Sequence, residues 1–159
     1  MTSNNELNLA YNFVRFTDKS LFLTGKAGTG KTTFLKKVVN EVNKRAVVVA
    51  PTGVAAINAG GVTIHSFFQM PFGPIIPGQN FHDKEKAHKV TKKKIDMIRA
   101  LDLVIIDEIS MVRADLLDGI DQVLQKYRRN KKPFGGIQLL MIGDLQQLAP
   151  VARPEEWNM

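Results

Sequence analysis

The stretch Leu21-Phe22-Leu23-Thr24-Gly25-Lys26-Ala27-Gly28-Thr29-Gly30-Lys31-Thr32-Thr33-Phe34-Leu35 runs from a short apolar segment through a glycine-rich octet into the start of an apolar helical stripe. The octet Gly25 to Thr32 matches G-x-x-x-x-G-K-[ST] in full, with a strand reading before it and a helix reading after it, as that motif requires. Its glycines let consecutive backbone N–H groups converge on phosphate oxygens, and the helix behind adds the positive end of its dipole. Gly25, Ala27, Gly28, Thr29, Gly30, Lys31, Thr32 and Thr33 are therefore the expected nucleotide-binding residues. Lys31 is expected to reach the β and γ phosphates, and the Thr32 hydroxyl to ligate Mg²⁺, a hard cation that takes oxygen donors. A dinucleotide fingerprint read from Gly28 fails, because Thr33 stands where close helix–sheet packing needs a third glycine.

Outward from this loop the chain alternates short apolar runs with helical stripes. Leu21 to Thr24, Ala46 to Ala50, Leu103 to Ile106 and Ile137 to Ile142 read as strands, continuous in apolar residues as a parallel sheet covered on both faces demands. Phe34, Leu35, Val38, Val39 and Val42 form one helical stripe. Leu116, Leu117, Ile120, Val123, Leu124 and Tyr127 form another, and both are expected to pack on the sheet. The alternation predicts one α/β domain over residues 1–159, a mostly parallel sheet with helices on both faces. Three prolines and two glycines between Met70 and Asn80 predict a loop, and Phe67 and Phe68 read as core.

Two further segments carry chemistry. Asp107 and Glu108 follow the strand Leu103 to Ile106, at the carboxyl edge where open α/β sheets bind ligands. Asp107 can hold Mg²⁺ through its water shell, and Glu108 can orient and deprotonate a water attacking the γ-phosphate. Neighbouring side chains on a strand point opposite ways, so the pair works together only if the strand ends near Asp107. After the fourth strand, Gly143 to Pro150 leaves the sheet in a glycine turn. Gln147 is the third expected catalytic residue beside Lys31 and Glu108, an uncharged amide able to bond phosphate or attacking water.

Composition narrows the class. The chain has 159 residues, no cysteine and a formal net charge of +7. Without cysteine there is no disulfide framework, thiolate metal site or thiol nucleophile. Neither a secretory signal nor an Arg-rich transit segment is readable at the N-terminus, and no apolar run approaches the ~20 residues of a membrane span. A cytosolic or nucleoid location without membrane association is expected. Seven Lys/Arg lie in residues 84–99 and five in 126–132. The two clusters read either as a polyanion-binding face or as two solvated helix ends. The run 84–99 is expected to be mobile without an anion, and His82 and His88, lacking a third His or Cys, do not read as metal ligands.

The segments APTGVAAINAGGVTIHSFF, VIIDEISMVRADLLD and PFGGIQLLMIGDLQQLAPV, in this order behind the phosphate loop, resemble successive motifs of the Pif/RecD branch of superfamily-one DNA helicases, nearest the Pif type. The resemblance covers nearly the whole chain and implies a RecA-like ATP-binding domain in which Lys31 and Thr32 belong to the first motif, Asp107 and Glu108 to the second, and Gln147 to the third. It implies ATP and Mg²⁺ as cofactors, 5′ to 3′ movement on single-stranded DNA, and unwinding of duplex junctions or quadruplexes in replication, repair and telomere maintenance. It further implies Thr52, Thr63, His65 and Ser66 as DNA contacts; for His65 a satisfied, partly buried histidine is the alternative.

Two departures bear on the site. The family commonly reads adenine with a glutamine upstream of the phosphate loop, whereas here no Gln precedes Gln69, leaving Asn8 or Asn12 as substitutes. The family also continues into a second RecA-like domain that supplies arginines and a second DNA grip, so the chain looks like the N-terminal portion of a longer, monomeric motor that alone turns ATP over slowly. A nucleotide-switched single-stranded nucleic-acid binding module is the alternative function. A small-molecule kinase is disfavoured, because Asp107, Glu108 and Gln147 suit water attack.

Overall fold

In the computed structural model, residues 4–76, 90–147 and 150 are described. Five strands form a single sheet in the order β1-β5-β4-β2-β3. They are β1 (Leu21–Thr24), β2 (Ala46–Ala50), β3 (Val62–Thr63), β4 (Leu103–Ile106) and β5 (Gln138–Gly143). Every pairing is parallel, with Leu103 aligned to Ala46 on one side and Gln138 on the other. All carboxyl ends therefore share one edge, which carries the phosphate loop, Asp107 and the Gly143 turn.

The helices are α1 (Asn5–Phe16), α2 (Lys31–Glu41), α3 (Gly53–Ala59), α4 (Ile64–Phe68), α5 (Lys92–Ala100) and α6 (Ala114–Arg128). Single 3₁₀ turns span Ile109–Met111 and Pro133–Gly136. Side-chain alternation along the central strand splits the core into two layers. Leu103 and Ile105 of β4 pack with Ala10, Val14, Phe34, Leu35 and Val38 from α1 and α2. Val104 and Ile106 face Ile64, Phe67, Phe68, Ile98, Ile120 and Leu124 from α4, α5 and α6. Both faces are thus covered, as the apolar runs predict, and no described helix is long and apolar enough to cross a membrane.

Three expectations need correction. The apolar-run reading misses β3, which is only Val62 and Thr63 beside Val49 and Ala50. It is too short for a periodic signal, and Gly61 makes it possible, since a β-carbon there would overlap the Val48 carbonyl. Next, β1 is not doubly buried: Leu21 and Leu23 are half-buried, whereas Phe22 and Thr24 are exposed. Among the described residues it has one strand partner, β5. Lastly, the part of the 84–99 run that is described, residues 90–99, is built around a helix: α5 is capped by the Thr91 side chain and buries Ile98. Residues 84–89, His82, His88 and the end of the Met70–Asn80 loop lie outside the described residues, as do Leu148 and Ala149.

Candidate nucleotide and nucleic-acid site

The phosphate loop bends where its glycines allow it, with φ of +79° at Gly28 and +90° at Gly30, a region costly for residues bearing a β-carbon. Gly30 is the N-cap of α2 and provides no side-chain cap. The first N–H groups of α2 are thus left for an anion. The Lys31 ammonium donates to the carbonyls of Gly25 and Lys26, and the Thr29 hydroxyl donates to the Lys26 carbonyl at 2.8 Å. Gly25 cannot be larger without moving Thr29, because an added β-carbon would stand 2.9 Å from its Oγ1.

A cavity of about 420 Å³ opens above this loop, lined by Ala27, Gly28, Gly30, Lys31, Thr32, Thr33, Glu108 and Gln147. Gly25 and Thr29 brace the loop rather than line the cavity. Asp107 also stays out of the lining; it is half-buried, and its N–H donates to the Val49 carbonyl at 2.9 Å. Burial raises the Asp107 pKa, against the Glu108 N–H and the Lys31 charge, which lower it. The condition on the acidic pair is met: β4 ends at Ile106, and Glu108 takes the left-handed φ of +53°. That turn brings Glu108 into the cavity. Burial and the Asp107 charge raise the Glu108 pKa, Lys31 opposes them, and Asp144 raises it further.

The residue types fit a hard divalent cation. Thr32 and Asp107 both offer oxygen, and among the described residues no cluster of three or more His, Asp or Glu side chains could hold a metal unaided. Such a donor set suits Mg²⁺, which keeps most of its waters and takes the remaining oxygens from substrate phosphate.

A second cavity, of about 270 Å³, lies against the first and is lined by Thr52, Val54, Ala55, Asn58, Glu108, Ser110, Met111 and Gln147. Glu108 and Gln147 belong to both. Of the four expected DNA residues only Thr52 lines it, and the Thr52 side chain also accepts from the Ala55 N–H as the cap of α3. Thr63, next to Ala50 in register, caps α4 by accepting from the Ser66 N–H at 3.2 Å. Ser66 is exposed, and His65 stacks on the exposed Phe72 ring at 4.9 Å with burial lowering its pKa. His65 is thus a half-buried ring whose neutral form burial favours.

A third cavity, of about 330 Å³, is lined by Asn4, Leu7, Asn8, Gly30, Thr33, Phe34 and Lys37. It adjoins the phosphate loop through Gly30 and Thr33, and it separates the two asparagines: Asn8 lines it and Asn12 does not.

Sequence reasoning overlooks Ser110, Asn58 and the Asp144 charge, and reads Gly143 only as a turn. Asp144 is 6% exposed, and its carboxylate accepts from the Gln146 N–H while its carbonyl accepts from the Gln147 N–H. Asp two residues before a polar residue is a legible turn signal, but its effect on Glu108 crosses between strands.

Among the described residues, the ends of the two basic runs meet away from this edge. The Arg128 guanidinium donates to the carbonyls of Ile98, Arg99, Leu101 and Gly135, and Arg99 donates to the Tyr127 carbonyl. These bonds tie the end of α6 to the end of α5 and to the chain entering β4 and β5. Arg128 is therefore spent internally, and residues 126–132 sit at the amino edge of the sheet, opposite the phosphate loop.

A model of the PIF1-like helicase family matches residues 6–158. The ATP-dependent DNA helicase PIF1 of Candida albicans is 41% identical over 138 residues, covering 84% of this chain and 15% of that protein. The ATP-dependent DNA helicase Pif1 of a Psychrobacter species is 40% identical over 145 residues, covering 89% and 21%. The crystal structure of Bacteroides Pif1 with ADP-AlF4 superposes with a TM-score of 0.91 at 46% identity, over 99% of this chain and 36% of that one. The chain thus spans about a fifth or less of these curated relatives, and its parallel sheet with flanking helices is the RecA-like domain of the solved ones. On the match to residues 6–158 and these identities, the chain belongs to the PIF1-like helicase family.

Proposed function

We propose that this chain is the ATP-binding domain of a DNA helicase motor, which hydrolyses ATP with Mg²⁺ and, joined to the rest of a longer protein, moves 5′ to 3′ along single-stranded DNA. The observation that carries this reading is that Glu108 and Gln147 line both the phosphate cavity and the cavity beside α3. A shared wall lets an occupant of one cavity alter groups acting in the other.

Each residue then has a task. Lys31 leaves the Gly25 and Lys26 carbonyls to bond phosphate oxygens, and the open N–H groups of α2 add to that grip. Thr32 and, through water, Asp107 would hold Mg²⁺, which when bound neutralises charge on the phosphate oxygens. Glu108 accepts the proton of the attacking water, and Gln147 orients that water or the phosphate without adding charge. Leu7 and Phe34 offer apolar walls to the base, with Asn8 as the polar group that replaces the missing glutamine. Thr52, Thr63, His65 and Ser66 contact the DNA backbone, His65 as a neutral ring.

Among the described residues, no arginine lines the phosphate cavity. An arginine supplied to a transferring phosphoryl group is worth about 10³ to 10⁵ in rate, so this reading assigns that group to the remainder of the protein. The test is ATP hydrolysis by the 159-residue chain and by the full-length protein, each with and without single-stranded DNA. Hydrolysis only by the longer protein, stimulated by DNA, is expected. Equal, DNA-independent hydrolysis by both overturns the reading, and unwinding of duplexes bearing 5′ or 3′ tails decides direction.

A further inference from the structure

We infer that Ser110 is a positioning residue whose buried hydroxyl bonds a sugar–phosphate oxygen of a strand lying in the α3 cavity and so fixes the turn that carries Glu108. This deepens the helicase reading and rests on it.

Ser110 is the centre of the 3₁₀ turn Ile109–Met111 and is 9% exposed. Its Oγ has almost no accessible surface and makes no hydrogen bond within the chain, so a rotation of the hydroxyl about χ1 into the cavity that the residue lines is what brings it to an occupant. A buried hydroxyl without a partner is unfavourable, so the site gains when an occupant supplies one. Ser110 lines the same cavity as Thr52 and Asn58. Among the described residues no basic side chain lines that cavity, and its one charged group is the Glu108 carboxylate, so an occupant is recognised there by hydrogen bonds, beside the apolar groups of Val54, Ala55 and Met111. A sugar–phosphate unit, with apolar ring carbons and several acceptor oxygens, matches that lining.

The same turn sets the orientation of Glu108. Backbone bonds of 3.0 Å from the Met111 N–H to the Glu108 carbonyl and from the Val112 N–H to the Ile109 carbonyl close it. Glu108 enters it at φ +53°, an unfavourable conformation that persists only where its surroundings enforce it. A bond from Ser110 to the strand adds a third tie two residues from Glu108. Strand binding then reaches the phosphate cavity through one turn of backbone.

The test compares the full-length protein with Ser110→Ala and Ser110→Thr. The readout is the ratio of kcat for ATP hydrolysis with and without single-stranded DNA. Loss of one hydrogen bond predicts that the alanine variant's ratio falls about three- to tenfold with KM for ATP unchanged, and that threonine, which keeps the hydroxyl, restores it. Amide exchange on the unsubstituted protein is an independent readout: strand binding should slow exchange at Met111 and Val112. An unchanged ratio in the alanine variant, or no added protection at those amides, overturns the inference while the helicase reading stands. Absence of any DNA stimulation in the unsubstituted protein overturns the helicase reading and this inference with it.

Discussion

Gly143 lies so close to Ile109 that a β-carbon placed on it would stand 2.8 Å from Ile109 Cγ2 and 3.1 Å from the Ser110 nitrogen. The last residue of β5 thus forms the seat for the turn that follows the acidic pair. Gly143→Ala should push this turn outward, because the nearest atoms include backbone that cannot swing aside. Overpacking of this kind costs about 1–3 kcal/mol, and Glu108 shifts with the turn. The expected outcome is a lowered Tm together with kcat reduced about 100-fold, since misplacement by an ångström has that scale of effect. A variant with lowered Tm and unchanged kcat would show that Glu108 is positioned independently of Gly143.

Substitutions of Glu108 and Lys31 should separate chemistry from binding. Glu108→Gln keeps the shape of the side chain and removes its basicity, so ATP affinity is retained while kcat drops about 10²- to 10⁴-fold. Lys31→Ala removes the ammonium from the phosphate cavity and weakens ATP binding itself. Equilibrium titration with a fluorescent ATP analogue, alongside steady-state hydrolysis, reads both effects.

The raised pKa values give a pH dependence with a definite sign. In its proposed role Glu108 must be ionised to accept a proton, so activity is expected to rise with pH through its folded-state pKa, which burial, Asp107 and Asp144 place above the ordinary glutamate value. Asp144→Asn removes one of those causes and should move the acid limb of the kcat profile to lower pH. Stability runs the other way. A carboxyl whose pKa is raised by folding stabilises the fold below its unfolded pKa, and that contribution is lost as pH rises through the folded value. Asp107 and Glu108 therefore both work against folding at neutral pH, and Asp107→Asn or Glu108→Gln should raise the Tm of nucleotide-free protein there. The gain should fade as the pH is lowered below the ordinary carboxylate range.

The octet Gly25 to Thr32, the strand before it and the stripe after it are local features, and the structure places each where its residues imply. Asp107 and Glu108 are legible for the same reason: strand end, carboxylates and the following turn lie within a few residues. What escapes a one-dimensional reading is contact between distant segments. Gly143 against Ile109, the Asp144 charge acting on Glu108, and Asn58 lining one cavity with Ser110 leave no periodic trace. The strand Val62–Thr63 is too short to have one. Charge counting misleads in the run 126–132 because it cannot distinguish an arginine in solvent from one that collects carbonyls. Arg128 is the second kind.

The cavity proposed to take the base gives a prediction for nucleotide choice. Leu7 and Phe34 line it with Asn4, Asn8 and Lys37, Asn4 serving as the cap of α1, and the short Asn8 amide reads fewer edge groups of a purine than a dedicated glutamine pocket. ATP and GTP should be hydrolysed with KM values within about tenfold of each other, the scale of one neutral hydrogen bond. Asn8→Ala should narrow that difference, whereas Asn12→Ala should leave it unchanged, as competition between the two nucleotides would measure.

The placement of Arg128 makes the last prediction. Its guanidinium satisfies carbonyls at the end of α5 and at Gly135, so Arg128→Ala leaves several partly buried acceptors without their donor. Hydrogen bonds to charged groups contribute about 1.5–3 kcal/mol each when removed, and a loss of about 2–4 kcal/mol in unfolding free energy is expected after partial rehydration. Lys131 and Lys132, exposed in the turn beyond α6, belong to the same run but face solvent at the amino edge. Replacing both with alanine should leave stability within about 0.5 kcal/mol. If the strand binds at the carboxyl edge, the double variant also keeps the salt dependence of DNA affinity, because each phosphate-contacting lysine removed lowers the slope of log K against log salt by about 0.7. A slope reduced by more than one unit would place these lysines on the DNA and move the track to the other side of the sheet.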